Sequence, residues 1–213
     1  MCSGYSEESK EHLIQSLNRN DAETSIGTDY SQMLQYFRMI PNAENSYRMF
    51  FNFLLKKYDL KTDILEVGCG VYPALSELID EYQQKEKRGT ITAYDPILAT
   101  PKCGNIHLYK KAFDTSIDVS KYSLIIGLYS CEAALDIIKI ANENDKDFSI
   151  VLCPCKQLQI TDLKYFNFDL WNKYVIRKAK ENLDSSRKIE VSKLTLKSMK
   201  KAPSTIIYSK KKK

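Results

Sequence analysis

At 213 residues, with 43% hydrophobic and 28% charged side chains, the chain has the profile of one globular domain and not of a disordered or fibrous segment. No apolar run approaches the roughly eighteen residues that span a bilayer, so no membrane partner is expected. The net charge is +5, but Lys197 to Lys213 holds seven lysines and no acid, which leaves the rest of the chain at −2. A slightly acidic body is not a surface that grips a phosphate backbone across its whole face.

The first residues, MCSGYSEESKEH, hold neither a basic nor an apolar block, so no secretory signal is read there. Six irregularly spaced cysteines then read as reduced thiols, and the compartment as cytoplasmic. Residues 1–41 are polar and read as a helical or irregular N-terminal extension, with 42–213 as one domain. Tyr47, Phe50, Phe51, Leu54, Leu55 and Tyr58 recur at helical spacing, which predicts a helix over 42–58 capped by Asn42 or Asn45.

From there the pattern alternates. Residues 63–67, 90–94, 106–110, 123–128 and 148–153 read as short apolar strands. Helices are expected over 73–83, with Leu75, Leu78, Ile79 and Tyr82 on one side, and over 132–142, with Leu135, Ile138 and Ala141 facing inward. Wholly apolar strands between helices mean a parallel sheet covered on both faces, an α/β fold with right-handed crossovers. An amphipathic stretch over 162–182 carries Phe166, Trp171, Tyr174 and Val175. Two strands follow, 188–196 and 205–208, joined too closely to be parallel, so the sheet ends in an antiparallel hairpin.

The stretch LEVGCGVYPAL, Leu65 to Leu75, takes the first strand through two glycines into a helix, with Pro73 at the first helical position. Such a turn presents backbone N–H groups at a helix N-terminus to an anion, and glycine allows close approach. The next strand ends at Tyr94-Asp95-Pro96, where an acid points into the same crevice and accepts from ribose hydroxyls. A dinucleotide fingerprint would need glycine where Pro73 stands.

Glu66-x-Gly68-x-Gly70 with Asp95 resembles the class I S-adenosylmethionine-dependent methyltransferases over roughly residues 45–210. The resemblance implies a Rossmann-like, doubly wound, seven-stranded, mostly parallel sheet with an antiparallel last strand, and S-adenosylmethionine as cofactor. It gives Gly68 and Gly70 the close approach to the cofactor, Glu66 the orientation of the loop or of the cofactor's amino group, and Asp95 the ribose. Phe113 would lie against the adenine, Asp114 would meet its amino group, and Gly127 and Leu128 would line the methionine end. Tyr72 stands where the motif often has a third glycine, which implies a tighter or altered pocket.

Cys131 follows the fourth strand, and Cys153-Pro154-Cys155 closes the fifth. The pair resembles a cysteine-rich methyltransferase group that includes the ribosomal RNA adenine dimethylase domain-containing proteins, with Tyr129 and Lys156 replacing that group's histidine and final cysteine. These thiols read as packing beneath the pocket, as a metal site, or as a nucleophile. Methyl transfer works largely by positioning, so the sequence names no catalytic base. Lys197, Lys200 and Lys201, expected beside the pocket, suggest RNA or an anionic small molecule as acceptor. The alternative is a catalytically silent binding protein that keeps the fold.

Overall fold

In the computed structural model, which describes residues 46–100, 102–130, 133–152, 168–194 and 204–212, the elements run α1 (Ser46–Lys57), β1 (Ile64–Val67), α2 (Ala74–Glu86), β2 (Ile91–Tyr94), β3 (His107–Tyr109), β4 (Leu124–Leu128), α3 (Ala134–Glu143), β5 (Asp147–Val151), α4 (Phe168–Lys180), β6 (Arg187–Leu194) and β7 (Ser204–Lys211). The strands form one seven-stranded sheet in the order β3-β2-β1-β4-β5-β7-β6. The pairs β3–β2, β2–β1, β1–β4 and β4–β5 are parallel. β7 lies antiparallel to both β5 and β6. The expected architecture, mostly parallel with an antiparallel last strand, is the observed one.

Two apolar layers flank the sheet. On one face Phe50 and Leu54 of α1 and Leu75 and Ile79 of α2 pack on Ile64, Ile126 and Ile206. On the other, Ile137, Ile138 and Ala141 of α3 and Trp171, Val175 and Ala179 of α4 cover Leu65, Ile125, Ile150 and Ile207. Strands buried on both faces are why β1, β2 and β4 read as continuous apolar runs. β3 departs from that pattern because it is the sheet edge: His107 and Tyr109 are exposed.

Several local expectations shift. Leu55 is 36% exposed, and Met49 and Phe53 join the buried side of α1 instead. The apolar stripe is centred on Phe50 and Leu54, and Leu55 lies a full residue step, about 100°, around the helix from Leu54. Pro73 is the N-cap of α2, with no side-chain capping bond, so the helix begins one residue later than expected. β7 runs three residues past Tyr208, and Lys210 and Lys211 pair with Lys188 and Arg187. These lysines therefore lie at the end of the sheet away from the C-termini of the parallel strands. Residues 1–45, Phe166 and the link over 195–203 lie outside the described residues.

Just past α1, the Tyr58 hydroxyl bonds the carbonyls of Phe148, at 2.9 Å, and Ser209, at 2.8 Å. Burial raises this phenol's pKa well above its ordinary value, so it stays a donor. The bond ties the C-terminal end of α1 to the start of β5. Removing the hydroxyl leaves half-buried carbonyls without it, so Tyr58→Phe is expected to lower the unfolding free energy by about 1–2 kcal/mol. Urea denaturation measures this, and an unchanged midpoint would show that water replaces the phenol.

Candidate functional site at the ends of the first, second and fourth strands

Between β1 and β4 the strand order reverses: the chain leaves β1 toward β2 on one side and returns to β4 on the other. A crevice at the C-terminal ends of the strands follows from that reversal. Here it is built around the turn between β1 and α2.

Glu66 is 1% exposed, yet its Oε2 is satisfied: it accepts the Ser76 amide at 3.0 Å and the Ser76 hydroxyl in a shorter contact. Pro73 offers no side chain to cap α2, so Glu66 caps the helix from the neighbouring strand, taking an N–H of the first turn that would lack a partner. Burial pushes the Glu66 carboxyl up to about 7; the Ser76 bonds oppose the rise and nearby Asp95 adds to it.

The turn is fastened to the end of β2. Gly68 and Cys69 donate to the Tyr94 carbonyl at 2.9 and 3.4 Å, and Ala99 donates to the Val71 carbonyl at 3.1 Å. Asp95, 8% exposed, accepts the Gly70 amide on Oδ2 at 2.7 Å and the Ile97 amide on Oδ1 at 2.9 Å. A carboxylate has about four lone-pair sites, so each oxygen keeps capacity for another donor.

Gly68 and Gly70 both hold left-handed backbone, at φ 76° and 74°. Their surroundings differ. A Cβ on Gly68 would fall 2.9 Å from Ser130 Cβ and 3.1 Å from Ser130 Cα, whereas one on Gly70 would meet nothing within 4 Å. Gly68 therefore accommodates the chain's own β4 loop, and Gly70 is the glycine with open space beside it. That space lies next to a carboxylate fixed by backbone amides.

The remaining candidates fall around this centre. Phe113, 8% exposed, packs edge-on to Tyr94 at 6.3 Å, beyond β3. Asp114 is exposed, and its Oδ1 accepts the Ser116 amide at 2.8 Å and the Ser116 hydroxyl. Those bonds lower its pKa from the ordinary carboxylate value. Gly127 and Leu128 end β4 next to β1, with Leu128 5% exposed. Tyr72 is turned into the core: its hydroxyl donates to Glu77 at 2.8 Å and lies 3.6 Å from Cys103 Sγ.

Cys69, in the turn itself, is free and buried, and burial raises its thiol pKa far above the ordinary range, so it is an inert packing thiol. Cys103 is disulfide-bonded, which corrects the reading of all six cysteines as reduced. Sequence spacing carries no record of which sulfurs meet in space, and cysteine usage gives no support to a reducing compartment at that position. Cys131, Cys153 and Cys155, with Lys197, Lys200 and Lys201, lie outside the described residues. Among the described residues no helix is long and apolar enough to cross a membrane.

Sequence reasoning passed over Ser76 and Ser130. A serine three residues past the Pro73 cap, facing an acid at the end of the preceding strand, was a signal available for Ser76. Ser130 had none, since its role depends on where β4 lies beside β1.

No protein-family model matches the sequence, and no curated protein matches it. Solved structures do. A methyltransferase from Pyrococcus furiosus superposes with a TM-score of 0.55 at 11% identity, over 95% of this chain and 98% of that one. The Haemonchus contortus phosphoethanolamine N-methyltransferase 1, in complex with phosphoethanolamine and S-adenosylhomocysteine, gives 0.52 at 11% identity, over 96% of this chain and 50% of that one. The chain thus has the α/β, Rossmann-like fold of the S-adenosylmethionine-dependent methyltransferases; at these identities the likeness is one of fold.

Two outcomes test the site's construction. Gly70→Ala meets no neighbour and carries only the left-handed cost of about 1–2 kcal/mol, whereas Gly68→Ala adds a clash with Ser130 and is expected to cost about 2–4 kcal/mol. Thermal melts compare them, and equal losses would contradict the packing around Gly68. Glu66 binds its proton more tightly folded than unfolded, so its contribution to stability is full below about pH 4.5 and is lost as pH rises to about 7. Unfolding free energies across that window are expected to fall in the wild type and to lose this slope in Glu66→Gln.

Proposed function

We propose that the protein transfers a methyl group from S-adenosylmethionine to an acceptor that is RNA or an anionic small molecule. The observation that carries this reading is the Asp95 carboxylate bonded to the Gly70 amide at 2.7 Å, with open space beside Gly70. Asp95 keeps lone pairs for two ribose hydroxyls while its bonds to Gly70 and Ile97 hold it still, so binding requires no rearrangement of the acid. Phe113 would flank the adenine. Asp114, kept ionised by Ser116, would accept from the adenine amino group. Gly68 and Glu66 hold the turn that the cofactor meets, and Gly127 and Leu128 line its amino-acid end. Tyr72, turned into the core, leaves the crevice to the ligand.

The cofactor, when bound, supplies a methyl group on a positively charged sulfur. What this chain contributes is alignment and a site shielded from water. Leu194 of β6 and Ser204 of β7 pair at the sheet end that carries the crevice, and Leu152, beyond β5, donates to Thr205 at 2.9 Å. Leu194 and Ser204 thus lie at the same end of the sheet as the crevice, and the lysines between them in sequence, Lys197, Lys200 and Lys201, favour an anionic acceptor.

Calorimetry with S-adenosylhomocysteine tests the reading: the wild type is expected to bind and Asp95→Ala to lose at least tenfold in affinity. Absence of binding to the wild type, or tight NAD binding in its place, would overturn it. Incubation with methyl-labelled cofactor and fractionated cell RNA and metabolites then separates enzyme from silent binder. Label in neither fraction, with the cofactor bound, would favour the binder.

A further inference from the structure

Among the described residues, five large apolar side chains remain exposed: Leu55, Ile97, Tyr109, Leu170 and Val191. Tyr109, at 43%, is the aromatic of that set. It ends β3, the strand at the edge of the sheet, so no further strand covers its outer side. Its inner side stacks on Tyr94, its register partner on β2, with ring centroids 4.7 Å apart and planes 12° from parallel. Phe113 packs edge-on to Tyr94 in turn. The Tyr109 ring is thus held in one plane by its neighbours and stays open to solvent.

Cations border it. Lys111 Nζ lies 5.4 Å from the Tyr94 ring centre and 6.0 Å from that of Tyr109. Lys110 and Lys111 are exposed, and neither forms an ion pair among the described residues. The Asp114 carboxylate, lowered in pKa chiefly by its bonds to Ser116, feels Lys111 without pairing with it. From Pro96 to Phe113 the sequence holds three lysines, one histidine and no acid, although the chain before Lys197 sums to −2. His107, also exposed, shares a face of β3 with Tyr109, two residues and roughly 6.6 Å back along the strand.

We propose that the β3 edge binds single-stranded nucleic acid, with one base stacked on Tyr109, the next over His107, and the backbone phosphates on Lys110 and Lys111. A ring already fixed in its plane gives up little freedom when a base stacks on it, and every base has a π-face to offer. A duplex keeps its base faces covered, so the strand is single. An acidic peptide would meet the lysines and leave the rings without a partner. The Tyr109 carbonyl accepts the Asp95 amide at 3.1 Å, so this edge adjoins the crevice at the same end of the sheet. The inference deepens the reading above by selecting a nucleic acid over a small anion as acceptor, and its connection with methyl transfer rests on that reading.

Fluorescence anisotropy with a short labelled oligoadenylate tests it. The full chain is expected to bind the RNA strand, and a DNA strand of the same sequence, more tightly than the duplex; the tighter of the two strands names the natural one. Tyr109→Leu, which keeps an apolar cover on Tyr94, is expected to lose about tenfold in affinity, and Tyr109→Phe to retain it. Lys110→Gln combined with Lys111→Gln is expected to flatten the slope of log affinity against log salt by about 1.4, as for two phosphates at about 0.7 each. No binding of a single strand, a duplex bound as tightly, or wild-type affinity in Tyr109→Leu would overturn the inference. So would equal displacement by polyglutamate at matched charge, which would mark the surface as one for acidic protein. An unchanged salt slope in the lysine variant overturns it as well, whether or not Tyr109→Leu folds. Calorimetry with S-adenosylhomocysteine keeps the two readings apart, because Tyr109→Leu is expected to bind it as the wild type does. If the wild type binds the oligonucleotide as expected and not S-adenosylhomocysteine, the cofactor reading fails and this surface stands; in the reverse case only this inference fails.

Discussion

Where parallel strands stop, their last amides and carbonyls need partners outside the ladder, and at β1 and β2 that need is met by the Asp95 carboxylate and the Tyr94 carbonyl. Asp95 ties the Gly70 and Ile97 amides together, so the turn after β1 and the loop after β2 become one body. A charge-assisted bond of this kind, nine-tenths buried, is worth about 1.5–3 kcal/mol and is far more directional than apolar contact. The same carboxylate faces the space beside Gly70. One side chain thus both fastens the turn to the next loop and borders the open space beside Gly70.

Glu66 carries the second constraint. Proline at the N-cap gives α2 a clean start but leaves its first turn without a side-chain acceptor. An acid reaching over from β1 restores the acceptor and fixes the direction in which α2 leaves the turn. Its burial has a cost, visible in the carboxyl's rise to about 7, and the proximity of Asp95 adds to it. Two acids on adjacent strands cannot both be buried and charged at no cost. Glu66, whose buried carboxyl is held by Ser76, therefore takes up a proton near neutrality while it holds the start of α2.

Much of this was legible in the sequence, because it follows from period and punctuation. Continuous apolar runs fixed the buried strands, and the short gap before Ser204 fixed an antiparallel β7. The Gly-x-Gly turn and Asp95 could be assigned to one crevice because the topology of alternating strands and helices leaves no other edge for them. What could not be read depended on pairs distant in sequence. Leu55 fits the helical spacing as well as Phe53 does, and only the direction of the sheet decides which is covered. Tyr72 looked like an obstruction because the motif has a small residue there. Its ring instead turns toward Glu77 and Cys103, contacts that no local pattern encodes.

The reversal of strand order explains why the two glycines of the turn differ. Gly70 is on the side of β1 that meets β2, and its neighbour is a polar side chain with room beyond it. Gly68 bonds β2 through its amide, but Ser130, after β4, already fills the volume where its side chain would be. A motif written as G-x-G treats the positions as equivalent, yet one glycine has open space beside it and the other has the protein's own chain. Gly127 on β4 repeats the second case, since Ser130 lies against it too. The volume beside the turn is thereby filled by Ser130 next to Gly68 and Gly127 and left open next to Gly70.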